Sequence, residues 1–215
     1  MHPITLFLAD DHKLVRQGLR ALFDAQPDIR VIGEASDGLE ALELIESLSP
    51  DVAFMDVMMP NLNGIEAAKI LRNRNSKTKL IFLSMHANPT YAVRALQSGA
   101  LAYVLKDSDF TEMLQAIQNV LENKHYLSAA IADEVFSMLL NNDIEKGNSL
   151  DTLSPREREI LQLIAEGNTN AVIAKKLTLS IRTVESHRAR IMTKLRFHSH
   201  ADLVRYAVQQ GLIQP

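Results

Sequence analysis

Short apolar segments alternate with amphipathic segments over the first part of this 215-residue chain. Segments rich in apolar and β-branched residues predict five strands, at residues 5–10, 29–35, 52–56, 80–84 and 102–105. Apolar residues at helical spacing predict a helix after each strand, at residues 14–24, 39–48, 65–74, 90–98 and 110–122. Strands that are apolar on both faces and joined by helical crossovers form a parallel sheet covered by helices on both sides. Such a sheet binds ligands beyond the carboxyl ends of its strands.

The pattern becomes purely helical after residue 122. One helix is predicted at 128–140, and the polar segment 141–149 is typical of a linker. Ser154 and Glu157 have the spacing of a capping box, which predicts a helix start there, and three more helices follow at 169–177, 181–195 and 199–210. We therefore expect three parts: an α/β domain over 1–122, a linker with a helix over 123–149, and a small all-α domain over 150–215.

Composition and charge narrow the classes of protein. The chain has no Cys, which excludes disulfides and thiolate metal sites. The first apolar run, residues 4–9, is too short for a signal peptide or a membrane span, so we expect a cytoplasmic protein with no membrane partner. Residues 1–150 hold 13 Lys and Arg against 20 Asp and Glu, whereas residues 151–215 hold 10 against 6. A basic tail favours nucleic-acid binding, although compositional scatter would give the same split.

Polar residues that carry chemistry cluster at the predicted strand ends. Asp10 and Asp11 end the first strand and Asp56 ends the third, so a parallel sheet brings three carboxylates to one edge. Each acid alone is typical of a solvated strand end. Together they repel one another and need a cation, for which Mg²⁺ is the natural choice because it prefers oxygen ligands. Ser84 and Lys106, at the ends of the fourth and fifth strands, bring a hydroxyl and an ammonium to the same edge.

This set of groups suits phosphoryl transfer to a carboxylate. Asp56 would be the nucleophile, while Mg²⁺ and Lys106 neutralise the oxygens of the transferring group. The loop after Asp56 contains Pro60 and Gly64, which would let a backbone carbonyl near Met58 face the metal. Phosphatases of the haloacid-dehalogenase type also use such an Asp, but they need an acid two residues later, where this chain has Met58. We therefore do not expect an enzyme, and the absence of a phosphate-binding G-x-x-x-x-G-K-[ST] motif argues against a nucleotide-binding protein.

Four segments resemble the receiver domain of bacterial two-component response regulators over about residues 3–122: LFLADDHKLVRQGLRALF, DVAFMDVMMPNLNGIEAAKILR, LIFLSMHA and GALAYVLKDSD. The resemblance implies a flavodoxin-like (βα)5 fold, in which Asp56 takes a phosphoryl group from a sensor histidine kinase. It implies that Asp11 and Asp56 bind Mg²⁺ directly and Asp10 through water, with at most slow self-phosphorylation and self-dephosphorylation. Met58 and His86 occupy positions that tune dephosphorylation in such domains.

The resemblance also implies that Ser84 and Tyr103 form a switch pair. The hydroxyl moves toward the phosphoryl group and the ring swings inward, although Tyr103 could equally be a half-buried core residue. One position departs from the family pattern. Many receivers carry Pro after the lysine, whereas Asp107 follows Lys106 here, so the backbone that holds the lysine cannot contain a cis proline bond.

The tail segment LSPREREILQLIAEGNTNAVIAKKLTLSIRTVESHRARIMTKL resembles the LuxR-type helix-turn-helix of the NarL/FixJ class, over about residues 150–210. Helical spacing places an outward row on the predicted helix 181–195, which we expect to enter a major groove: Arg182, Glu185, Ser186 and Ala189. We expect contacts with the phosphate backbone of the DNA from a second set of residues: Arg188, Arg190, Lys194, Lys175, Lys176 and Thr183. Glu185 either accepts from a cytosine or pairs with Arg188 or Arg182 inside the helix.

A single helix in the major groove buries too little surface for strong specificity, so we expect dimers on double-stranded DNA. By the resemblance, the last helix makes the dimer contact through Leu203, Tyr206 and Ala207, although this stripe could also pack inside its own domain. The expected partners are a sensor histidine kinase, DNA, a second copy upon phosphorylation or DNA binding, and RNA polymerase. We expect a phosphorylation-controlled transcription regulator. The alternative is a receiver-like transcription factor that partner binding controls without phosphorylation.

Overall fold

The computed structural model describes residues 2–85, 87–140, 149–197 and 199–213, and the chain divides into two compact units, Met1–Asp143 and Ile144–Pro215. The first unit is built on a parallel sheet of order β2-β1-β3-β4-β5-β6. Its strands are β1 (Ile4–Ala9), β2 (Ile29–Ala35), β3 (Val52–Asp56), β4 (Lys79–Ser84), β5 (Ala102–Leu105) and β6 (Tyr126–Leu127).

Helices cover both faces of the sheet, as the sequence predicts. They are α1 (Lys13–Asp24), α2 (Gly38–Leu48), α3 (Gly64–Asn73), α4 (Pro89–Ser98), α5 (Phe110–Leu121) and α6 (Ala129–Leu140). Side chains alternate between the two faces of each strand. Leu8, Phe54 and Val104 pack in one buried cluster with residues of α1 and α5. Phe7 and Phe82 are also buried and face α2 and α3 on the other side. The predicted flavodoxin-like fold is confirmed.

One expectation about the first unit is wrong. We expected no strand after residue 122, but β6 adds a sixth strand by pairing with β5, Ala102 opposite Tyr126 and Tyr103 opposite Leu127. A two-residue strand has no periodicity that a sequence pattern could reveal. The predicted linker region 123–149 therefore contributes β6 and α6 to the first unit, where Ile131 and Val135 of α6 are buried. Most of the predicted polar linker, residues 141–148, lies outside the described residues.

The second unit is helical. A short 3-10 helix (Ser149–Thr152) precedes α7 (Pro155–Ala165), α8 (Asn170–Lys176), α9 (Ile181–Leu195) and α10 (His200–Gln209). The predicted capping box is present, because the Ser154 hydroxyl accepts from the Glu157 amide and the Glu157 carboxylate accepts from the Ser154 amide. All four helices contribute to one core, which includes Ile160, Ile173, Val184, Ile191 and Leu203. Burial of Val184 and Ile191 fixes which face of α9 points outward.

Candidate functional site

The three predicted carboxylates meet at the carboxyl edge of the sheet. Asp10 follows β1 and Asp56 ends β3, and these two strands are neighbours, so the register brings the acids together. Oxygen atoms of Asp10, Asp11 and Asp56 and a ring nitrogen of His12 all lie within 4.8 Å of one another. Asp10 and Asp56 are buried, whereas Asp11 is exposed. The cluster therefore has buried charge at its base and an opening toward solvent at Asp11.

Lys106 forms ion pairs with both buried acids. Its Nζ lies 2.6 Å from Asp10 Oδ2 and 2.6 Å from Asp56 Oδ2, and its side chain is only 5% exposed. The Lys106 amide donates to the Ser84 carbonyl at 2.8 Å, so the end of β5 is bound to the end of β4. The described residues contain no cis peptide bond. With Asp107 in place of Pro, the lysine still reaches both acids.

The electrostatics of this cluster favour an added cation. The pKa of Asp56 is raised to about 6, chiefly by burial and to a smaller extent by the nearby charge of Asp10, while Lys106 opposes both effects. Burial also lowers the pKa of Lys106, but the charges of Asp56 and Asp10 outweigh burial and leave that pKa raised. One ammonium thus faces two buried carboxylates, with Asp11 beside them. The net negative charge makes the cluster a suitable site for a hard divalent cation.

The predicted switch residues, Ser84 and Tyr103, are hydrogen-bonded to each other. Ser84 ends β4, and Tyr103 lies on the adjacent strand β5, where it is opposite Phe82 in the register. Both are buried, with Tyr103 fully inside the protein. Burial raises the pKa of Tyr103 to about 12, and a hydrogen bond with Ser84 acts in the opposite direction. Tyr103 is therefore a neutral, inward-facing ring whose hydroxyl bonds to Ser84.

The loop after Asp56 packs tightly against the acid. The Met58 amide donates to Asp56 Oδ1 at 3.1 Å, and the Gly64 amide donates to the Val57 carbonyl at 3.0 Å. A Cβ atom at Gly64 would lie 2.2 Å from the Asp56 carbonyl oxygen. Gly64 is needed here because the start of α3 approaches the backbone of Asp56 too closely for any side chain.

Two polar residues at this edge escaped the sequence analysis. The His12 amide donates to Asp10 Oδ1 at 2.8 Å, and its Nδ1 lies 2.8 Å from Asp11 Oδ1. The Arg16 guanidinium bonds to the Asp10 carbonyl. The position of His12, directly after the two acids, was a signal that could have been used. Arg16 lies one turn into α1, and its spacing does not show that its side chain turns back to the Asp10 carbonyl. His86, expected to tune dephosphorylation, lies outside the described residues.

The predicted DNA-reading face lies on the exposed side of α9. Exposed positions on α8 and α9 include Lys175, Lys176, Arg182, Glu185, Ser186, Ala189 and Arg190, whereas Thr183 and Arg188 are partly buried. The Ser186 hydroxyl donates to the Arg182 carbonyl at 3.0 Å. The Thr183 hydroxyl shares a hydrogen bond of 2.8 Å with Ser180, the cap of the helix. These exposed side chains form a basic surface on the outer side of the second unit.

Lys194, which we expect to contact a DNA phosphate, is ion-paired inside its own unit. Its Nζ lies 2.7 Å from Glu157 Oε2 and donates to the Thr152 carbonyl at 3.1 Å. Glu157 is buried, and its pKa is lowered because hydrogen bonds from Lys194 and Ser154 outweigh the opposing effect of burial. Lys194 therefore joins the end of α9 to the start of α7, a contact between residues 37 positions apart that helical spacing cannot reveal.

Replacing Lys194 with Ala should lower the stability of the second unit by about 1–2 kcal/mol, because the buried Glu157 would lose its counterion. Arg190→Ala, which removes an exposed cation of the same helix, should leave stability within about 0.5 kcal/mol. Thermal unfolding of the full chain measures both. If Lys194→Ala weakened DNA binding and left the unfolding curve unchanged, Lys194 would act as a phosphate contact and not as a structural counterion.

The predicted dimer residues are core residues of their own unit. Leu203 and Ala207 are fully buried, and Tyr206 is 8% exposed and packs edge-on against Phe197 with ring centroids 5.2 Å apart. The alternative that this stripe packs inside its own domain describes the structure. Helical spacing identified the correct apolar stripe but could not say which of two surfaces would cover it.

The comparisons with known proteins agree with this geometry. Residues 6–118 match the response regulator receiver domain family, and residues 151–207 match the bacterial regulatory proteins of the luxR family. The transcriptional regulatory protein LiaR of Bacillus subtilis is 40% identical over 210 residues, which cover 98% of this chain and 99% of LiaR.

Among the described residues, no helix is both long enough and apolar enough to cross a membrane.

Solved structures extend the likeness over both units. RcsB of Salmonella enterica serovar Typhimurium, bound to promoter rprA in the presence of phosphomimetic BeF3⁻, is 26% identical, with a TM-score of 0.61 and coverage of 95% of this chain and 98% of RcsB. A structure of two RcsB dimers bound to two parallel DNAs matches with 27% identity, a TM-score of 0.60 and the same coverage. The chain therefore belongs to the NarL/FixJ family of two-component response regulators, which are phosphorylation-controlled, DNA-binding transcription regulators.

Proposed function

We propose that Asp56 accepts a phosphoryl group from the phosphohistidine of a sensor kinase, and that this event controls DNA binding by α9. The position of Lys106 carries the proposal, since its ammonium lies 2.6 Å from both Asp10 and Asp56. An Asp56 oxygen attacks phosphorus in line, the new O–P bond forms, and the P–N bond to the kinase's histidine breaks. Lys106 neutralises oxygens of the transferring group, where charge must be compensated in such reactions.

The residues at this edge fit Mg²⁺. Asp11 and Asp56 would bind it directly and Asp10 through water, and the Met58 carbonyl would supply a further oxygen. Hard oxygen donors that lie within 4.8 Å of one another support this assignment. When bound, Mg²⁺ supplies charge neutralisation at the phosphoryl oxygens. Members of this family are regulators and not enzymes in general. We propose at most slow self-phosphorylation and self-dephosphorylation, because Met58 stands where a phosphatase of the haloacid-dehalogenase type has its acid–base Asp.

The switch begins at Ser84. Its hydroxyl, at the end of β4, would turn from Tyr103 toward a phosphoryl oxygen on Asp56. Tyr103 would lose this partner and settle deeper against the space that the hydroxyl leaves. The hydrogen bond between the two residues and the full burial of the ring support a direct coupling of this kind. Phosphorylation thereby changes packing at the ends of β4 and β5.

The outer side of α9 would read DNA in the major groove. Arg182, Glu185, Ser186 and Ala189 would face base edges, with phosphate contacts from Arg188, Arg190, Lys175, Lys176 and Thr183. Exposure of the reading row supports this, and the buried Val184 and Ile191 prevent the helix from presenting another face. Lys194, which is ion-paired with Glu157, would instead fix the position of α9.

We expect Arg188→Ala to weaken binding to every duplex by about tenfold, because a charged phosphate contact is worth roughly 1.5 kcal/mol. The salt slope of binding should fall by about one unit. Ser186→Ala should instead change the preferred bases and leave the salt slope unchanged. Binding to a random-sequence library over a salt series separates these effects. Equal loss of base preference in both variants would contradict the division into phosphate and base contacts.

We propose that the regulator acts as a homodimer in the cytoplasm, where a kinase and double-stranded DNA are both within reach. RcsB dimers on DNA support the dimer. Because Leu203, Tyr206 and Ala207 are buried, a contact through α10 would use the opposite side of that helix, where Ala201 and Arg205 are exposed. RNA polymerase is proposed as a further partner on the family resemblance.

The function is tested by measuring DNA affinity before and after phosphorylation of the full chain. We expect acetyl phosphate with Mg²⁺ to increase both the fraction of dimer in sedimentation and the affinity for a duplex selected from a random library. Affinity that does not change when Asp56 is labelled would favour the phosphorylation-independent alternative.

A further inference from the structure

Residues 126–128, directly before α6, are hydrogen-bonded to alternate residues along β5. Tyr126 donates its amide to the Leu101 carbonyl at 3.0 Å, and Ser128 donates its amide to the Tyr103 carbonyl at 3.0 Å. The Leu105 amide then donates to the Ser128 hydroxyl oxygen at 3.1 Å. The ladder between β5 and β6 thus ends with a side chain in place of a backbone carbonyl.

Ser128 also lies directly before the start of α6. Its carbonyl accepts from the Ile131 amide at 3.0 Å, and α6 starts at the next residue, Ala129. Ser128 is 1% exposed, so its hydrogen bond to Leu105 is shielded from water. Its hydroxyl also lies 3.2 Å from the Ser108 hydroxyl. One buried residue therefore connects the end of the sheet to the first turn of a helix.

The end of β5 is held from two sides. The Leu105 amide bonds to Ser128, whereas the amide of the next residue, Lys106, bonds to the Ser84 carbonyl at 2.8 Å. The Lys106 ammonium in turn contacts Asp56. A shift of the backbone at Lys106 or Ser84 would therefore act on the strand end to which Ser128 is bonded.

α6 also packs against a second element near the phosphoacceptor site. Ile131 and Val135 of α6 are buried, and the helix packs against α4, which follows β4 and Ser84. α6 thus contacts two elements that leave the phosphoacceptor site, β5 through Ser128 and α4 through its apolar face. α6 ends at Leu140, and the remaining chain leads to the second unit.

We propose that Ser128 is a positioning residue that transmits the state of Asp56 to α6, the last element that the structure describes before the DNA-binding unit. The proposal rests on the proposed function, because it takes phosphorylation of Asp56 as the event that moves Ser84 and Lys106. Without the Ser128 hydroxyl, the Leu105 amide loses its partner, and the start of α6 follows the end of β5 less closely, because only the backbone hydrogen bond from Ser128 to the Tyr103 carbonyl remains at that residue. Phosphorylation then still occurs but changes DNA affinity less.

The experiment compares full-length Ser128→Ala, Ser108→Ala and Ser128→Thr with the wild type. Two quantities are measured: labelling by acetyl phosphate with Mg²⁺, and the ratio of DNA affinities with and without phosphorylation, on a duplex selected from a random library by the phosphorylated wild type. In Ser128→Ala we expect labelling within about twofold of wild type and a ratio reduced by about three- to tenfold, the effect of one buried hydrogen bond. Hydrogen exchange of α6 amides should respond to phosphorylation in the wild type but not in this variant.

The controls separate coupling from folding. Ser108→Ala removes the neighbouring hydroxyl but keeps the bond to Leu105, and Ser128→Thr keeps a hydroxyl at the same atom, so both should retain the wild-type ratio. A wild-type ratio in Ser128→Ala, or an equal loss in Ser108→Ala or Ser128→Thr, would overturn the proposal and leave the proposed function intact. Failure of the wild type itself to respond to labelling would overturn the proposed function first, and the role of Ser128 with it.

Discussion

Asp56→Asn should abolish labelling by acetyl phosphate in the presence of Mg²⁺, because the amide cannot act as the attacking oxyanion. Folding should survive the change. Burial already disfavours the charged form of Asp56, as its pKa of about 6 reflects, so a neutral side chain of equal size is not expected to cost stability. Loss of signal in gels that retard phosphorylated protein gives the measurement, and circular dichroism checks the fold.

Asp107→Asn is the matched control for Asp56→Asn. Asp107 is exposed and directly follows Lys106, so this variant removes one carboxylate close to the site without touching the acid cluster. It should label like the wild type, and chelation of Mg²⁺ should stop labelling in both. Persistent labelling of Asp56→Asn would instead identify Asp10 or Asp11 as the phosphoacceptor. DNA binding by Asp56→Asn as tight as that of the labelled wild type would instead favour control by partner binding.

The parallel fold explains why so much of the acid cluster could be predicted from the sequence. Neighbouring strands in parallel register end at one edge, so identifying Asp10, Asp56 and Lys106 as strand ends is sufficient to bring them together. The remaining geometry depends on side-chain reach. That Lys106 contacts both acids, or that Tyr103 is inward and bonded to Ser84, depends on tertiary packing that residue spacing does not encode.

The second unit shows where periodicity becomes ambiguous. Spacing along α9 correctly separated Val184 and Ile191 from the exposed row. It could not show that Lys194 turns to Glu157, because that contact is set by the packing of α7 against α9. The same limit applies to α10, whose apolar stripe covers the unit's own core. Sequence patterns therefore identify faces of helices, while the partner of each face is decided by the fold.

Gly64→Ala should strongly lower the stability of the first unit. The added Cβ would lie 2.2 Å from the Asp56 carbonyl oxygen and 2.8 Å from a ring carbon of Phe82. Neither the backbone of β3 nor a buried ring can withdraw easily, so we expect a loss of about 3 kcal/mol in the free energy of unfolding. Labelling should fall as well, because relief of the clash displaces Asp56 itself.

Gly18→Ala is the control that makes this result specific to close approach. Gly18 lies on the exposed side of α1, and no atom outside its own helix lies within 4 Å of a Cβ added there. The change should stabilise the protein by about 0.5–1 kcal/mol, since Ala loses less backbone freedom in a helix than Gly. Denaturant unfolding of both variants should therefore give shifts of opposite sign. If Gly64→Ala matched the wild type, the start of α3 would be free to move away from Asp56, and the loop after the acid would not fix its position.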